Sequence, residues 1–369
     1  MFVGRSMRAR PARRRNDPPV LSFKYSLSRP PANVYLLPMT DVVALAAELL
    51  SIPSSSGSEK AAVDFVSRWL ISRGWNVTVQ EVSKGRGNVW ASRAGGGVTF
   101  STHLDTVPPH IAPRLDGDKL YGRGACDAKG IAAAMLAAAD RLVKSGEERI
   151  DLLFVVGEEQ GSDGARAANN LSATSRFLVN GEPTESRLAS GAKGSLRVIV
   201  RTKGREAHSA YPHLGQSAIE PMLALLPTLK HLALPSDPVL GDTTVNVGLI
   251  CGGTGANIIP AHAEAEMMIR LVSDVDPVKA IIRDWAKGHA EVEFGSHIPA
   301  QRFHTVDGFD VAPMAYTSDI PLLSRWGTPL LFGPGSIHVA HTPDEFIDLN
   351  ELRASVDAYE RIARQLLAT

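Results

Sequence analysis

The sequence predicts an α/β protein that carries a smaller α+β domain inserted in its chain. Between Thr40 and about residue 192, amphipathic helices alternate with short apolar strands, which is typical of a mostly parallel central sheet flanked by helices. From Gly194 to about residue 300, polar and apolar residues alternate along the strands, as in an antiparallel sheet with one exposed face. After residue 300 the first pattern returns. The predicted domains are a larger one over 39–192 and 301–369 and an insertion over 193–300.

The larger domain shows this pattern element by element. Apolar residues at helical spacing predict its helices, and short apolar or alternating runs predict its strands. The predicted helices cover 40–54, 59–75, 129–146, 163–171 and 349–368, and the predicted strands cover 76–82, 88–95, 97–105, 150–159 and 176–183. Thr40 is the expected N-cap of the first helix.

The insertion is predicted to contain four strands and two helices. The strands are expected over 194–204, 243–253, 262–272 and 290–295, and the helices over 217–232 and 276–288. This content indicates a small sandwich of helices on one face of an antiparallel sheet.

Residues 1–38 differ in composition from the rest of the chain. They hold eight of the 39 Lys and Arg residues but one acid, Asp17, and six prolines that discourage regular structure. They lack the apolar stretch of a secretory signal. An organelle transit peptide, a nucleic-acid-binding arm and a true start at Met39 all fit this composition. We predict a disordered basic extension.

The composition of the remaining residues limits the possible partners. They carry 31 basic and 38 acidic residues, and this mildly acidic balance argues against nucleic acid as a main partner. No apolar run approaches the roughly 20 residues that span a bilayer, so no membrane partner is expected. Cys126 and Cys251 lie far apart without a paired spacing, which favours a reducing compartment, the cytoplasm.

Polar side chains follow several of the predicted strands. His103 and Asp105 are two residues apart, so on a strand both point to the same side. The others follow an apolar run or a glycine-rich turn; they are Asp127, Glu158, Glu159, Glu182 and His341. Several carboxylates at one edge of a sheet repel one another unless a cation neutralises them. Two imidazoles with several carboxylates and no thiolate suit Zn²⁺, with Co²⁺ or Mn²⁺ as substitutes.

Each of these signals has an ordinary structural explanation when it is taken alone. A single His on an apolar strand is usually a satisfied core or surface residue. The adjacent Glu158 and Glu159 fit a solvated turn, and Asp127 fits a helix N-cap. Because five segments each place such groups at a predicted strand end, the metal site is the favoured interpretation.

Seven motifs stand in order along the chain, and five of them carry these residues; the resemblance they support covers roughly residues 40–369. They are STHLDTVP, YGRGACDAKG, VVGEEQGSDGA, NGEPT, GREAHSAYPHLG, GGTGANIIP and AHTPDEF. In this order they resemble the motifs of the M20 family of di-zinc aminoacyl hydrolases. That family includes acetylornithine deacetylase, succinyl-diaminopimelate desuccinylase, carrier-protein lysine hydrolases and carboxypeptidase-like enzymes. The resemblance implies a zinc-hydrolase catalytic domain with an inserted lid and dimerisation domain.

The resemblance also implies a ligand set for two Zn²⁺ ions per chain. His103 and Glu182 would bind one ion, Glu159 and His341 the other, and Asp127 would bridge both. His338 is the nearest rival to His341, and the context HTPDE favours His341.

Two further acids receive catalytic roles from the resemblance. Asp105 would orient the imidazole of His103 from behind. Glu158 would act as general base, taking a proton from a bridging water or hydroxide and later giving it to the leaving amine. Cys126, beside the bridging carboxylate, is interpreted as a packing residue rather than a nucleophile.

Three residues of the insertion match positions that contact substrate in the family. His208 would reach the partner subunit's site and stabilise the oxyanion, which implies a homodimer through the lid domain. Arg270 and Asn257 would hold the substrate carboxylate and polar groups. An ordinary surface arginine and a turn residue before Pro260 are the alternatives for these two.

These observations predict a metal-dependent hydrolase of an N-acyl amino acid or short peptide. The leading prediction is an acetylornithine deacetylase-like enzyme of amino-acid biosynthesis. The alternatives are a succinyl-diaminopimelate desuccinylase, a carrier-protein lysine hydrolase, and a dipeptidase or carboxypeptidase of the same family. A relative that binds metal without catalysis is the alternative from a different class.

Overall fold

The computed structural model describes residues 22–24 and 39–369 and has the predicted α/β fold. The first part of the chain contains β1 (Ser22–Lys24), α1 (Val42–Ser51), α2 (Lys60–Ser72), β2 (Asn76–Ser83), β3 (Arg86–Ser92), β4 (Val98–His103), β5 (Arg114–Asp116), β6 (Lys119–Tyr121), α3 (Lys129–Lys144), β7 (Ile150–Val155), α4 (Asp163–Ala168), β8 (Phe177–Asn180) and β9 (Leu188–Ala192).

The segment predicted as an insertion follows. It contains β10 (Gly194–Lys203), β11 (Ala207–His208), α5 (Ile219–Leu225), β12 (Ser236–Asp237), β13 (Gly241–Asp242), β14 (Thr244–Gly252), β15 (Ile258–Ile259), β16 (His262–Leu271), α6 (Val275–Ala286) and β17 (Glu291–Ile298). The last part contains β18 (Gln301–Arg302), β19 (Val311–Met314), β20 (Thr328–Leu331), β21 (Phe346–Asp348) and α7 (Leu349–Ala368).

The central sheet has seven strands in the order β1-β2-β3-β7-β4-β8-β20. The four strands from β7 to β20 are paired in parallel, whereas β1, β2 and β3 pair antiparallel at the other edge. A two-residue turn joins β2 to β3, and such a short connection requires antiparallel strands. The carboxyl ends of the four parallel strands therefore share one edge of the sheet.

Strand β1 falls within residues 1–38, where the sequence predicts no regular structure. Its three residues pair with Thr78–Gln80 of β2, an edge that would otherwise leave backbone groups unpaired. The rest of the predicted basic extension lies outside the described residues.

The main core lies between the central sheet and helices α1, α3 and α7. Phe100 of β4 packs against Tyr359 of α7 with ring centroids 5.3 Å apart. The buried Tyr359 hydroxyl donates a hydrogen bond of 2.8 Å to the Phe332 carbonyl oxygen just after β20. Helix α7 is thereby fastened to the sheet at the edge where the parallel strands end.

The insertion forms its own antiparallel sheet in the order β14-β16-β10-β17. Helices α5 and α6 cover one face, where Leu196, Met222 and Ile282 belong to a separate apolar cluster. Alternate residues of β10 point to the opposite face, where Arg197 pairs with Glu266. Ala192 of β9 lies opposite Gln301 of β18, so the two ends of the segment predicted as an insertion are neighbours.

Two local details differ from the sequence prediction. Asp41, not Thr40, caps α1: its side chain accepts from the backbone N–H groups of Val43 and Ala44. The helix predicted over 217–232 ends as α at Leu225 and continues as a 3-10 helix over Leu226–His231. Pro227 lacks the N–H that an α-helical bond requires. Among the described residues, no helix has the length and apolar character needed to cross a membrane.

Candidate metal centre

The shared edge of the parallel strands brings predicted ligands together. His103 is the last residue of β4, Glu159 lies in the 3-10 turn after β7, and Asp127 stands in the loop before α3. One ligand atom from each of these three lies within 4.8 Å of the others. His341 joins them from the loop between β20 and β21. These residues lie far apart in the chain, and the sheet topology makes them neighbours.

Asp127 lies between the two histidines. Its Oδ1 is 3.0 Å from Nε2 of His103, and its Oδ2 is 3.3 Å from Nε2 of His341. The same nitrogen of His341 is 2.9 Å from Oε1 of Glu159. Each carboxylate oxygen of Asp127 thus faces a different imidazole, which is the arrangement expected of a carboxylate that bridges two cations.

Glu182 follows β8 and is buried beside this cluster. Its Oε1 has no hydrogen-bond partner among the described residues. Burial is the main cause that raises the pKa of Glu182 well above its usual value, and the nearby Glu158 carboxylate adds to it. Such a group is unfavourable as a free carboxylate and is stabilised when a cation binds it. The donor set therefore fits a metal centre, as does the mixture of imidazoles and carboxylates.

Asp105 contacts both the His103 imidazole and the turn that carries Glu158. Nδ1 of His103 lies 2.9 Å from the backbone oxygen of Asp105 and 3.5 Å from its Oδ1. The carboxylate accepts hydrogen bonds from the backbone N–H groups of Glu158 and Glu159 at 3.0 and 3.1 Å, and from the Ser56 hydroxyl at 2.7 Å. Asp105 thus holds the Glu158–Glu159 turn as well as contacting His103.

Glu158 lies next to the ligands in a mostly desolvated environment. Burial is the main cause that raises its pKa well above the usual value, and the Asp319 carboxylate adds to it. A raised pKa suits a group that must accept and return a proton near neutral pH. Asp319 was not singled out by the sequence; it is buried, and neither of its carboxylate oxygens has a hydrogen-bond partner among the described residues.

The predicted residues of the insertion do not join this cluster through any contact among the described residues. His208 of β11 lies opposite Ile258 of β15, and the Ser209 N–H donates to the Asn257 carbonyl oxygen at 2.9 Å. His208 and Asn257 are therefore neighbours on the insertion. Arg270 lies on β16, half-buried, and within the described chain its side chain has no hydrogen bond or ion pair.

The positions of Cys126 and His338 bear on two further predictions from the sequence. Cys126 is buried, and this burial is the main cause that raises the pKa of its thiol; the Glu345 carboxylate raises it further. The raised pKa disfavours a reactive thiolate. The exposed His338 makes no side-chain contact with Glu159, whereas His341 does.

Glu345 and Arg123, which were not predicted as site residues, lie behind the loop of Asp127. They form a buried ion pair at 2.7 Å. Glu345 stands within the motif AHTPDEF, so its position four residues after His341 was the available signal. Its partner lies 222 residues away in the chain, and no local pattern connects the two.

The chain is similar to known proteins over most of its length. A family model described as peptidase family M20/M25/M40 matches residues 99–365. A peptidase M20 domain-containing protein of Schizosaccharomyces pombe is 39% identical over 341 residues, covering 89% of this chain and 85% of that protein. A probable carboxypeptidase of Aspergillus flavus is 37% identical over 370 residues, covering 87% of this chain and 86% of the relative.

Solved structures share the fold at low identity. A tripeptidase from Staphylococcus aureus matches with a TM-score of 0.75 at 20% identity, covering 90% of this chain and all (100%) of that chain. An M20 family metallo-carboxypeptidase from Sulfolobus solfataricus matches with a TM-score of 0.72 at 18% identity and the same coverage. A dinuclear metal-binding M20 peptidase from Bacillus subtilis matches with a TM-score of 0.66 at 16% identity, covering 89% and 98%.

Proposed function

Because the chain belongs to peptidase family M20/M25/M40 and is a hydrolase of amide or peptide bonds, we propose that it is a two-metal carboxypeptidase-type enzyme. It would cleave the amide bond that precedes the free carboxylate of a short peptide or N-acyl amino acid. The observation that carries the proposal is the position of Asp127, with one oxygen facing His103 and the other facing His341.

The ligand set we propose is the one that the motifs imply. His103 and Glu182 would hold one ion, Glu159 and His341 would hold the other, and Asp127 would contribute to both. Two divalent ions, which we propose to be zinc, supply a Lewis acid for the scissile carbonyl and lower the pKa of a water molecule when they are bound.

Glu158 moves the proton in this proposal. It takes a proton from the attacking water and passes it to the leaving nitrogen, a role that its raised pKa supports. Asp105 keeps the Glu158 backbone in place through its hydrogen bonds to the turn. A Glu158 carboxylate that is displaced by about 1 Å would lose much of this effect.

The lid supplies substrate recognition in this proposal. Arg270 is half-buried, burial lowers its pKa, and no carboxylate of the described residues pairs with it. A substrate carboxylate would give this guanidinium the partner it lacks, with a geometry that suits a bidentate contact. Asn257 supports the same end of the substrate.

The lid also forms the homodimer in this proposal. Strand β14 is an edge strand of the insertion's sheet and exposes Leu249 and Ile250, which are 66% and 54% exposed. An open strand edge with apolar side chains is a typical site for pairing with another chain. His208 of the partner subunit would then stabilise the oxyanion.

A substrate screen tests this function directly. Purified protein loaded with Zn²⁺ or Co²⁺ is assayed with dipeptides, with the same dipeptides amidated at the C-terminus, and with N-acetyl amino acids. We expect hydrolysis of substrates with a free carboxylate and little hydrolysis of the amidated ones. Equal rates on both sets would contradict the role of Arg270. Acetylornithine and succinyl-diaminopimelate are included to locate the preferred acyl group and side chain.

The role of Glu158 has its own test. Glu158→Gln is expected to reduce turnover by about 10²- to 10⁴-fold while two metal ions remain bound. Glu360→Gln on the exposed face of α7 serves as the matched control and should leave turnover unchanged. Near-normal turnover of Glu158→Gln with metal bound would exclude the mechanism. Metal binding without activity on any substrate would favour a non-catalytic relative.

A further inference from the structure

The buried carboxylate of Glu345, behind the candidate metal centre, accepts several backbone hydrogen bonds from the Asp127 loop. Oε1 of Glu345 accepts hydrogen bonds from the backbone N–H groups of Gly124, Cys126 and Asp127 at 2.9, 3.3 and 3.2 Å. Glu345 is 1% exposed, so water does not compete for these contacts. Three converging N–H groups form a cradle for a negative charge.

The second oxygen of Glu345 joins this cradle to the loop of His341. Oε2 accepts from Nη1 of Arg123 at 2.7 Å, and the same nitrogen donates to the Thr342 carbonyl oxygen at 3.1 Å. The Gly122 N–H also donates to the Glu345 carbonyl oxygen at 3.0 Å. The two loops are therefore fastened together by one buried ion pair and several backbone hydrogen bonds.

The fastened loops each carry a proposed metal ligand. Asp127 is itself one of the N–H donors to Glu345, and His341 precedes Glu345 by four residues. His341 also has a left-handed backbone, with φ of +64°, which a non-glycine residue keeps only when its surroundings enforce it. Thr342 accepts a hydrogen bond from Arg123, and Glu345 accepts hydrogen bonds from the Asp127 loop. These contacts hold both ends of the segment that follows His341, and they constrain its backbone.

We propose that Glu345 and Arg123 are positioning residues that set the separation of Asp127 and His341 for metal binding. Neither residue is among the proposed metal ligands, and both contact the loops that carry two of those ligands. Without the carboxylate, three buried N–H groups and one buried guanidinium lose their partner, and the loop relaxes to satisfy them. The carboxylate of Asp127 then no longer faces both histidines. This inference rests on the proposed function only in that the site binds metal.

The test measures metal binding, not turnover. Metal-free protein is titrated with Co²⁺ alone, and binding and the visible absorption of the bound ion are recorded. Glu345→Gln keeps the shape of the side chain but removes its charge. Arg123→Lys keeps the charge but removes the planar guanidinium, whose Nη1 reaches Glu345 and Thr342 while its Nε donates to the Pro109 carbonyl oxygen. We expect both variants to bind Co²⁺ about 10- to 100-fold more weakly, with an altered absorption spectrum.

Asp140→Asn is the matched control. Asp140 is also a buried carboxylate with several partners: it accepts from Thr40 and Lys144, both at 2.9 Å, at the far end of α3. Its substitution should lower the free energy of unfolding without weakening Co²⁺ binding. An equal loss of Co²⁺ affinity in Asp140→Asn would overturn the inference, because general destabilisation would then explain it.

The outcomes separate this inference from the proposed function. Wild-type-like Co²⁺ binding in Glu345→Gln and Arg123→Lys would overturn the inference alone. If Glu345→Gln does not fold, Arg123→Lys decides. Wild-type protein that binds Co²⁺ but hydrolyses no substrate would contradict the proposed function and leave the inference standing, whereas wild-type protein that binds no Co²⁺ would contradict both.

Discussion

Asp151 at the opposite edge of the central sheet is a buried carboxylate that is expected to destabilise the protein at neutral pH. It is the second residue of β7, it is 2% exposed, and its Oδ1 has no hydrogen-bond partner among the described residues. Burial raises the pKa of Asp151 to about 6. We predict that Asp151→Asn stabilises the protein increasingly as the pH rises.

The magnitude follows from the difference between the folded and unfolded pKa values. The unfolded carboxyl titrates near its usual value of 3.8, about two pH units below the folded one. Between these values the unfolded state releases its proton first, so the free energy of unfolding falls as the pH rises. Above the folded pKa the loss is complete, at about 3 kcal/mol. About half of it, roughly 1.5 kcal/mol, develops between pH 5 and pH 8.

The assay compares urea unfolding of the wild type and Asp151→Asn at pH 5, 6, 7 and 8. The difference in the free energy of unfolding should grow by about 1.5 kcal/mol over this range. Any fixed effect of the new amide on the free energy of unfolding does not depend on pH, so it cancels when the values at different pH are compared. Asp116→Asn, an exposed carboxylate on β5, controls for the loss of one charge. A pH-independent difference for Asp151→Asn would refute the reasoning. Turnover should not change, since Asp151 lies at the edge remote from the metal centre.

Two more predictions concern the assembly and the metal centre. Leu249→Asp on β14 places a charge in the exposed apolar edge and should convert the proposed dimer to a monomer, as measured by the molar mass from light scattering. The control Glu291→Gln, on the other edge strand β17, should leave the protein dimeric. A dimeric Leu249→Asp would exclude the β14 edge as the interface. Adding Zn²⁺ to metal-free protein at pH 7 should release protons, because contacts with Asp127 and Glu159 raise the pKa of His341 to about 10 and a metal binds only the neutral imidazole. Calorimetry in two buffers of different ionisation enthalpy measures this release, and metal affinity should rise between pH 6 and pH 8. Binding without proton release would contradict these contacts.

Much of the fold followed from local patterns. The alternation of helices with apolar strands predicted the α/β class, and the change of pattern near Gly194 predicted where a second sheet begins, because buried parallel strands and half-exposed antiparallel strands differ in periodicity. The M20 family followed from motifs that stand in order along the chain, and the comparisons confirm it. The acetylornithine deacetylase specificity has no such support and stays a prediction.

The limits of local patterns appear at particular residues. The strand-end position of His103 and Asp105 was visible in the sequence, but the partners of the Asp105 carboxylate were not, since Glu158 and Glu159 approach it from another strand. Short strands such as β5 and β6 escaped prediction, because three residues are too few to show a period. Asp319 and Glu345 looked like ordinary loop acids, because burial is a property of the folded chain.

The sequence by itself determined which chemical groups are present, which of them follow strands, and to which family the chain belongs. These are local properties, set by residue type and spacing. Only the tertiary structure decided that Asp127 faces both His103 and His341, and that Glu345 joins Arg123 across 222 residues of chain. Those distances depend on parallel strands ending at one edge and on buried loops that pack against each other, and neither condition is encoded in any single segment.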